Sequence, residues 1–82
     1  MFFLYILHSK KLNRYYVGYT ADLEKRLLEH NNGISTYTSK ANDWVFKYQE
    51  SFPTREEAHR QELAIKMKKS VRYIEWLIGK RK

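Results

Sequence analysis

Two polar residues occupy helix positions at which the apolar pattern calls for a core residue. In the segment LEKRLLEHN, Leu23 and Leu27 define the buried stripe of a predicted helix. At about 100° per residue, His30 falls in that stripe and Arg26 lies on its margin. An arginine there can hold phosphate oxygens, and a histidine can move a proton near neutral pH. Two structural interpretations compete: an arginine whose stem covers apolar surface, and a half-buried histidine favoured by the helix C-terminus.

A carboxylate occupies a similar position on the next predicted helix. Glu62 falls between Ala58 and Ile65 on the apolar face, too far into the helix to cap its N-terminus. An unpaired buried charge is very costly. Glu62 therefore needs either a cationic side chain, for which Arg26 is the candidate, or a metal ion, and the residues alone leave both open.

The charge balance favours a polyanionic partner. The chain has 82 residues with 16 Lys and Arg against 9 Asp and Glu, a net charge of +7. Such an excess is typical of nucleic-acid binding, and a basic solubilising surface is the alternative. We expect part of the basic carboxyl-terminal third to hold backbone phosphates without reading bases. The residues expected to do so are Lys69, Arg72, Lys80, Arg81 and Lys82.

The cysteine content and the hydropathy of the sequence indicate the cellular compartment of the protein. There is no cysteine, which excludes disulfides, thiolate metal sites and a cysteine nucleophile. The apolar run at the start is too short for a membrane span, which needs about 20 residues, and it lacks the flanks of a signal peptide. We therefore predict a cytoplasmic protein without a membrane partner.

The remaining pattern predicts one α+β domain over residues 1–82 with the order β-β-α-β-α-α. Aromatic and branched residues predict strands at 2–8, 14–19 and 44–49. The first two strands are joined at 9–13 as a hairpin, so Tyr5 and Tyr16 can share a face.

Capping residues and apolar periodicity predict the three helices. Asp22 or Thr20 caps the first helix, and Thr54 and Ser70 cap the next two. In the last helix, Val71, Ile74, Leu77 and Ile78 form the apolar stripe. The predicted helices span 22–31, 54–69 and 71–79.

Together these residues resemble a known family. FLY ends at Tyr5, YVG begins at Tyr16, and Arg26, His30 and Glu62 follow in that order. This arrangement resembles the GIY-YIG nuclease family, which includes homing endonucleases, restriction enzymes and the amino-terminal domain of a bacterial excision-repair protein. The similarity covers about residues 2–78 and is closest to the small stand-alone members.

The resemblance implies a three-stranded antiparallel sheet flanked by helices, and a metal-dependent endonuclease that cuts DNA with little sequence preference, with a role in DNA repair. RNA is left open as a substrate. Glu62 would hold one Mg²⁺ or Mn²⁺ ion, and Gly18 and Tyr19 would contact the nucleic acid. The catalytic residues it implies are Tyr5, Tyr16, Arg26, His30 and Glu62.

The general base is open between two residues. Histidine titrates near pH 6.5 in model peptides, about the pH at which a base is needed, which favours His30; the family favours Tyr16. Three departures from the family pattern are Phe3 in place of a glycine, Tyr19 in place of a lysine, and no counterpart of an asparagine that follows the glutamate. The last supports an alternative, a nucleic-acid-binding module with weak or lost catalysis. A protein-interaction domain with an exposed Tyr and Trp surface is a third interpretation.

Overall fold

The computed structural model describes residues 1–33 and 38–80. It has the predicted α+β order, β-β-α-β-α-α. The third strand continues to Phe52, beyond its expected end at 49. The elements are β1 (Phe2–Ser9), β2 (Arg14–Thr20), α1 (Leu23–Asn31), β3 (Val45–Phe52), α2 (Arg55–Lys68) and α3 (Val71–Lys80).

The sheet has the order β2-β1-β3, with both strand pairs antiparallel. The central strand β1 is buried from Leu4 to Leu7, because side chains leave a strand on alternate faces and both faces are covered. This is why the first strand is apolar throughout and does not alternate with polar residues.

Each face of the sheet has its own apolar cluster. α2 and α3 cover one face, and α1 with the segment before β3 covers the other. The edge strand β2 is therefore flanked by α1 on one face and by α2 on the other. The buried members of the first cluster are Leu4, Ile6, Val17, Tyr48, Ile65 and Leu77. The buried members of the second are Tyr5, Leu7, Ala41 and Trp44.

A bulge divides the aromatic residues of β3 between the two clusters. Ile6 pairs with Tyr48 and Leu7 pairs with Phe46, so Lys47 is the extra residue. Without it, Phe46 and Tyr48 would point to the same face. With it, Tyr48 packs in the first cluster and Phe46 against the second.

The helix starts follow the predicted caps. Asp22 Oδ1 accepts from the Lys25 N–H at 3.1 Å, and Thr54 Oγ1 accepts from the Glu57 N–H at 3.3 Å. Gly33, just beyond α1, has φ +76°, the left-handed conformation expected of a glycine there.

The last helix begins at its predicted cap but differs in detail. Ser70 Oγ accepts from the Tyr73 N–H at 3.2 Å. Val71 is not part of the buried stripe, since 58% of it is exposed. Lys80 belongs to α3, one residue beyond the predicted end of that helix at 79, whereas residues 81–82 lie outside the described part of the chain. Within the described residues, no helix has the length and apolar character to cross a membrane.

Candidate active site

A cleft of about 430 Å³ opens at the β2 edge, between α1 and α2. The structure brings together here six of the residues that the sequence singled out. These residues are Tyr5, Tyr16, Gly18, Tyr19, Arg26 and Glu62. Phe2, Thr20, Ala21 and Arg55 complete the lining.

The hairpin register places the two tyrosines side by side. Tyr5 pairs with Gly18 and Leu7 with Tyr16, so Tyr5 and Tyr16 are diagonal neighbours on one face. Their ring centroids are 6.4 Å apart. The prediction that they share a face is confirmed.

Gly18 is required by the position of the Tyr5 side chain. A Cβ atom on Gly18 would lie 2.6 Å from Tyr5 Oη and 2.8 Å from its Cζ, and 3.2 Å from Tyr16 Cε2. The glycine therefore lets Tyr5 lie across β2 toward the cleft. Its contact with nucleic acid stays a prediction.

Gly18→Ala is expected to destabilise the fold, by about 1–3 kcal/mol for overpacking, because the new methyl group displaces both tyrosine rings. Gly79→Ala is the matched control: outside its own helix backbone, no described atom lies within 4 Å of its added Cβ, and alanine is favoured over glycine in a helix by up to about 1 kcal/mol. Thermal unfolding of the two variants should shift in opposite directions, and an unchanged melting temperature for Gly18→Ala would contradict this packing.

Tyr5 is the centre of a hydrogen-bond network. Its Oη accepts from Arg26 Nε at 3.3 Å and lies 2.9 Å from His30 Nε2 in a buried hydrogen bond. Arg26 Nη1 donates to Glu29 Oε1 at 3.0 Å. Burial raises the pKa of Tyr5 to about 12, against the opposing effect of Arg26. Tyr5 therefore stays protonated and fixes the direction of the guanidinium.

Arg26 remains a cation at the cleft. Burial alone would lower its pKa, but the hydrogen bonds with Glu29 and Tyr5 outweigh that effect and raise the pKa above its ordinary value. Of its N–H groups, those on Nε and Nη1 make these bonds. A guanidinium has five N–H donors, so further donors are left for a bound anion.

His30 lies behind Tyr5 and not in the cleft. It is fully buried, and its Nδ1 is 2.7 Å from Thr38 Oγ1. Burial and the nearby Arg26 lower its pKa to about 4. The ring is therefore neutral at physiological pH, with both nitrogens in hydrogen bonds.

The low pKa of His30 makes the fold sensitive to acid. An unfolded chain has the ordinary histidine pKa of about 6.5 and binds more protons than the native state between there and about pH 4. Stability should be fully present above that window and fall through it, by up to about 3 kcal/mol from this group. Denaturant unfolding across the window measures the loss. His30→Gln should lower stability near neutral pH and flatten the dependence, and parallel profiles for the two proteins would contradict the assignment.

Glu62 is nearly buried, with 9% exposed. Its Oε2 accepts from Lys66 Nζ at 3.0 Å, and its Oε1 lies 3.7 Å from His59 Nε2. Of the two alternatives left open for Glu62, the salt bridge with Arg26 is not formed: Arg26 pairs with Glu29 and Glu62 with Lys66. The physical reason is distance along the helix, because Lys66 is one turn away from Glu62.

The sequence matches a known domain. Residues 1–73 match the family model described as the GIY-YIG catalytic domain. The chain belongs to the GIY-YIG family. The resemblance stated from the motifs is therefore confirmed, and the domain places the chain in a family of nucleases.

Relatives of this GIY-YIG chain occur in bacteria and archaea. A UPF0213 protein of Staphylococcus saprophyticus is 40% identical over 65 residues, which is 78% of each chain. Another, of Halobacterium salinarum, is 42% identical over 53 residues, 63% of this chain and 69% of its own. The solution structure of a UPF0213 protein of Bacillus halodurans matches with a TM-score of 0.60 and 33% identity, over 96% of this chain and 84% of that one. The fold is confirmed by this match.

The GIY-YIG cleft offers one carboxylate to a metal ion. Among the described residues, no group of three or more His, Cys, Asp or Glu side chains could hold one. Mg²⁺ suits such a site, because it often binds one or two carboxylates and keeps waters or takes phosphate oxygens. The residues paired with Glu62 are half exposed, Lys66 at 47% and His59 at 48% of the side chain, so they can turn away into solvent. Glu62 therefore fits a single divalent ion.

The described members of the basic set predicted to hold phosphates lie outside the cleft lining of this GIY-YIG domain. Lys69 lines a neighbouring groove, and Arg72 is exposed on α3. Lys80 Nζ is 5.2 Å from the centroid of the Trp76 ring. Arg81 and Lys82 lie outside the described residues. Contact of these side chains with nucleic acid stays a prediction.

Four residues near the GIY-YIG site were missed. Arg55 lines the cleft, and Thr38 holds His30. Lys66 and His59 contact Glu62. The i,i+4 spacing of Glu62 and Lys66 was a usable signal. No sequence signal indicated the contact of Thr38 with His30, because Thr38 lies in a polar loop without periodicity.

Proposed function

We propose that this GIY-YIG protein is a metal-dependent endonuclease that hydrolyses phosphodiester bonds in DNA with little sequence preference. The observation that carries the proposal is the convergence of Tyr5, Tyr16, Arg26 and Glu62 from four different elements on one cleft. Hydrolysis needs a base for the attacking water, a cation for the phosphate, and help for the leaving oxygen. The cleft holds a residue for each need.

Arg26 holds the scissile phosphate. Its guanidinium matches phosphate geometry and stays charged at every relevant pH. Glu29 and Tyr5 fix its direction through hydrogen bonds of 3.0 and 3.3 Å. The cation is therefore oriented before the substrate arrives, which is how a site stabilises charge that develops on phosphorus.

Tyr16 takes the proton of the attacking water. Of the two residues considered for this role, His30 is fully buried and both of its nitrogens are in hydrogen bonds. Tyr16 lines the cleft, and Lys66 Nζ is 5.8 Å from the centroid of its ring. His30 then acts through Tyr5, as a positioning residue.

Glu62 holds the divalent ion, Mg²⁺ or Mn²⁺. When bound, the ion supplies positive charge that stabilises the leaving oxygen. Lys66 Nζ contacts one carboxylate oxygen of Glu62, and His59 Nε2 lies 3.7 Å from the other. The Lys66 ammonium compensates the buried charge of Glu62.

The cellular setting is part of the proposal. The absence of cysteine supports the cytoplasm, and the similarity to the excision-repair protein supports DNA repair. A net charge of +7 supports nucleic acid as the partner.

A plasmid assay tests the activity. Supercoiled DNA incubated with the protein should be nicked in Mg²⁺ or Mn²⁺ and stay intact in the presence of a chelator. Sites of nicking should be scattered along the plasmid. Intact plasmid with every divalent ion, from protein that is folded and binds DNA, would overturn the proposal.

A binding module without efficient catalysis is the second candidate. Two observations favour it: Glu62 already has Lys66 as a counter-ion at 3.0 Å, and the sequence lacks a counterpart of the family's asparagine. This candidate predicts DNA binding that is equal with and without divalent ions and produces no nicks.

A further inference from the structure

A second and larger groove adjoins the cleft. Its volume is about 790 Å³, within the range of about 300–1,000 Å³ that holds small ligands. Tyr16 lines both spaces, and Lys66 lines the groove while its Nζ contacts Glu62 in the cleft. The groove therefore begins where the cleft ends. The lining residues that carry the argument are Tyr15, Val17, Ile65, Ile74, Arg14 and Lys69.

The groove combines an apolar floor with a basic rim. Val17 and Ile65 are buried core residues, and Ile74 and Tyr15 pack against the same cluster. Arg14 and Lys69 are exposed and line the groove from β2 and from the turn between α2 and α3. Among the described residues lining the groove there is no aspartate or glutamate. Glu75, just outside, accepts a hydrogen bond from Tyr15 Oη at 3.3 Å.

This pairing of surfaces fits one chemical class. The flat apolar face of a nucleobase suits the apolar floor, and the phosphates of the nucleotide strand suit the basic rim, as in grooves that bind single strands. A base inside a duplex cannot reach the floor, because both of its faces are stacked on neighbouring bases. An acidic peptide would match the rim but has no need of a deep apolar floor.

We propose that the groove binds an unpaired nucleotide of the strand whose phosphate lies in the cleft. The substrate class is then single-stranded or locally unpaired nucleic acid, and cleavage occurs beside the unpaired nucleotide. The position of cleavage rests on the proposed endonuclease function, whereas the binding of an unpaired nucleotide in the groove does not.

Val71 is the position from which to test the groove. It lines the groove but is 58% exposed, so Val71→Asp adds a negative charge at little cost to packing. Asp is also favourable in the first turn of a helix. Leu28→Asp is the matched control, since Leu28 is 63% exposed on α1 and lines neither space.

The experiment measures affinity without divalent ions, so that no cleavage intervenes. The probes are a 2-aminopurine single strand and a fully paired duplex of equal length. Val71→Asp should weaken single-strand binding about tenfold, the size of one lost base stack, with a much smaller loss for the duplex. It should also reduce the change in 2-aminopurine emission on binding. Leu28→Asp should leave both affinities near wild type.

A second variant keeps the proposal testable if Val71→Asp fails to fold. Lys69 has φ +49°, a conformation that asparagine tolerates, so Lys69→Asn removes the rim charge and keeps the turn. It should lower the salt slope of single-strand binding by about 0.7. Equal losses of single strand and duplex from Val71→Asp, or unchanged single-strand affinity in either variant, would overturn the proposal. A protein that shows these losses but never nicks DNA would contradict only the endonuclease function.

Discussion

Arg26→Lys is expected to slow cleavage on the order of 10²–10³-fold, the usual cost of losing one preorganised donor to a developing oxyanion. Lysine keeps the positive charge but lacks the planar, forked N–H donors of the guanidinium. It cannot replace both the Nε bond to Tyr5 and the Nη1 bond to Glu29 at once. The cation is then free to move, and Tyr5 loses the donor that fixes its hydroxyl.

The measurement is the single-turnover rate of nicking with enzyme in excess, beside the affinity for uncut DNA. The rate should fall far more than the affinity, because the charge is kept. Lys25→Ala is the control, since Lys25 is exposed on the same helix and lies outside the cleft lining. A rate for Arg26→Lys equal to that of wild type would show that the guanidinium does not hold the reacting phosphate.

Tyr16→Phe is expected to lower the cleavage rate by about 10²–10⁴-fold, the range attributed to a positioned base. The ring stays, so packing beside Tyr5 and under Lys66 is retained. Only the hydroxyl that takes the proton is removed. The rate should therefore fall while the ring packing is kept.

Tyr73→Phe is the matched control for this test. Tyr73 lies on α3 and lines neither the cleft nor the neighbouring groove. That variant should cut at nearly the wild-type rate. A slow Tyr73→Phe and a fast Tyr16→Phe would contradict the assignment. Loss of cleavage in His30→Gln with full activity in Tyr16→Phe would make the histidine the base.

Local signals predicted most of the fold. Caps at Asp22, Thr54 and Ser70 are decided within a few residues of each helix start, and the structure has all three. The placement of His30 and Glu62 on buried faces also followed from helical spacing alone, and both are buried. Periodicity carries this information because a helix fixes which residues share a face.

The features that the sequence did not predict depend on how the helices and strands pack against one another. The bulge at Lys47 sends Phe46 and Tyr48 to opposite faces, although their spacing alone places them together. Val71 was expected on the buried stripe and instead lines an open groove. Neither feature has a local signal, because each is set by which partner element lies opposite.

The partner of Glu62 shows the same limit. Arg26 was the candidate counter-ion in one of the two alternatives for Glu62, and both residues do line one cleft. They approach it from opposite faces of the sheet, however, and each finds a partner within its own helix, Glu29 for Arg26 and Lys66 for Glu62. Pairing within a helix requires no tertiary fit. The shared cleft was predictable from the motif, but the ion pairs around it were not.

The central claim is that Glu62 holds the metal ion on which cleavage depends. The most direct test is the single-turnover cleavage rate of Glu62→Gln against that of Glu56→Gln, in Mn²⁺ and in Mg²⁺. Both variants replace a carboxylate by an amide of the same shape on α2, but Glu56 is exposed in the first turn and lies outside the cleft lining. We predict that Glu56→Gln cuts at the wild-type rate and that Glu62→Gln, folded and still binding DNA, does not cut with either ion. Cleavage by Glu62→Gln at the wild-type rate would contradict this role of Glu62.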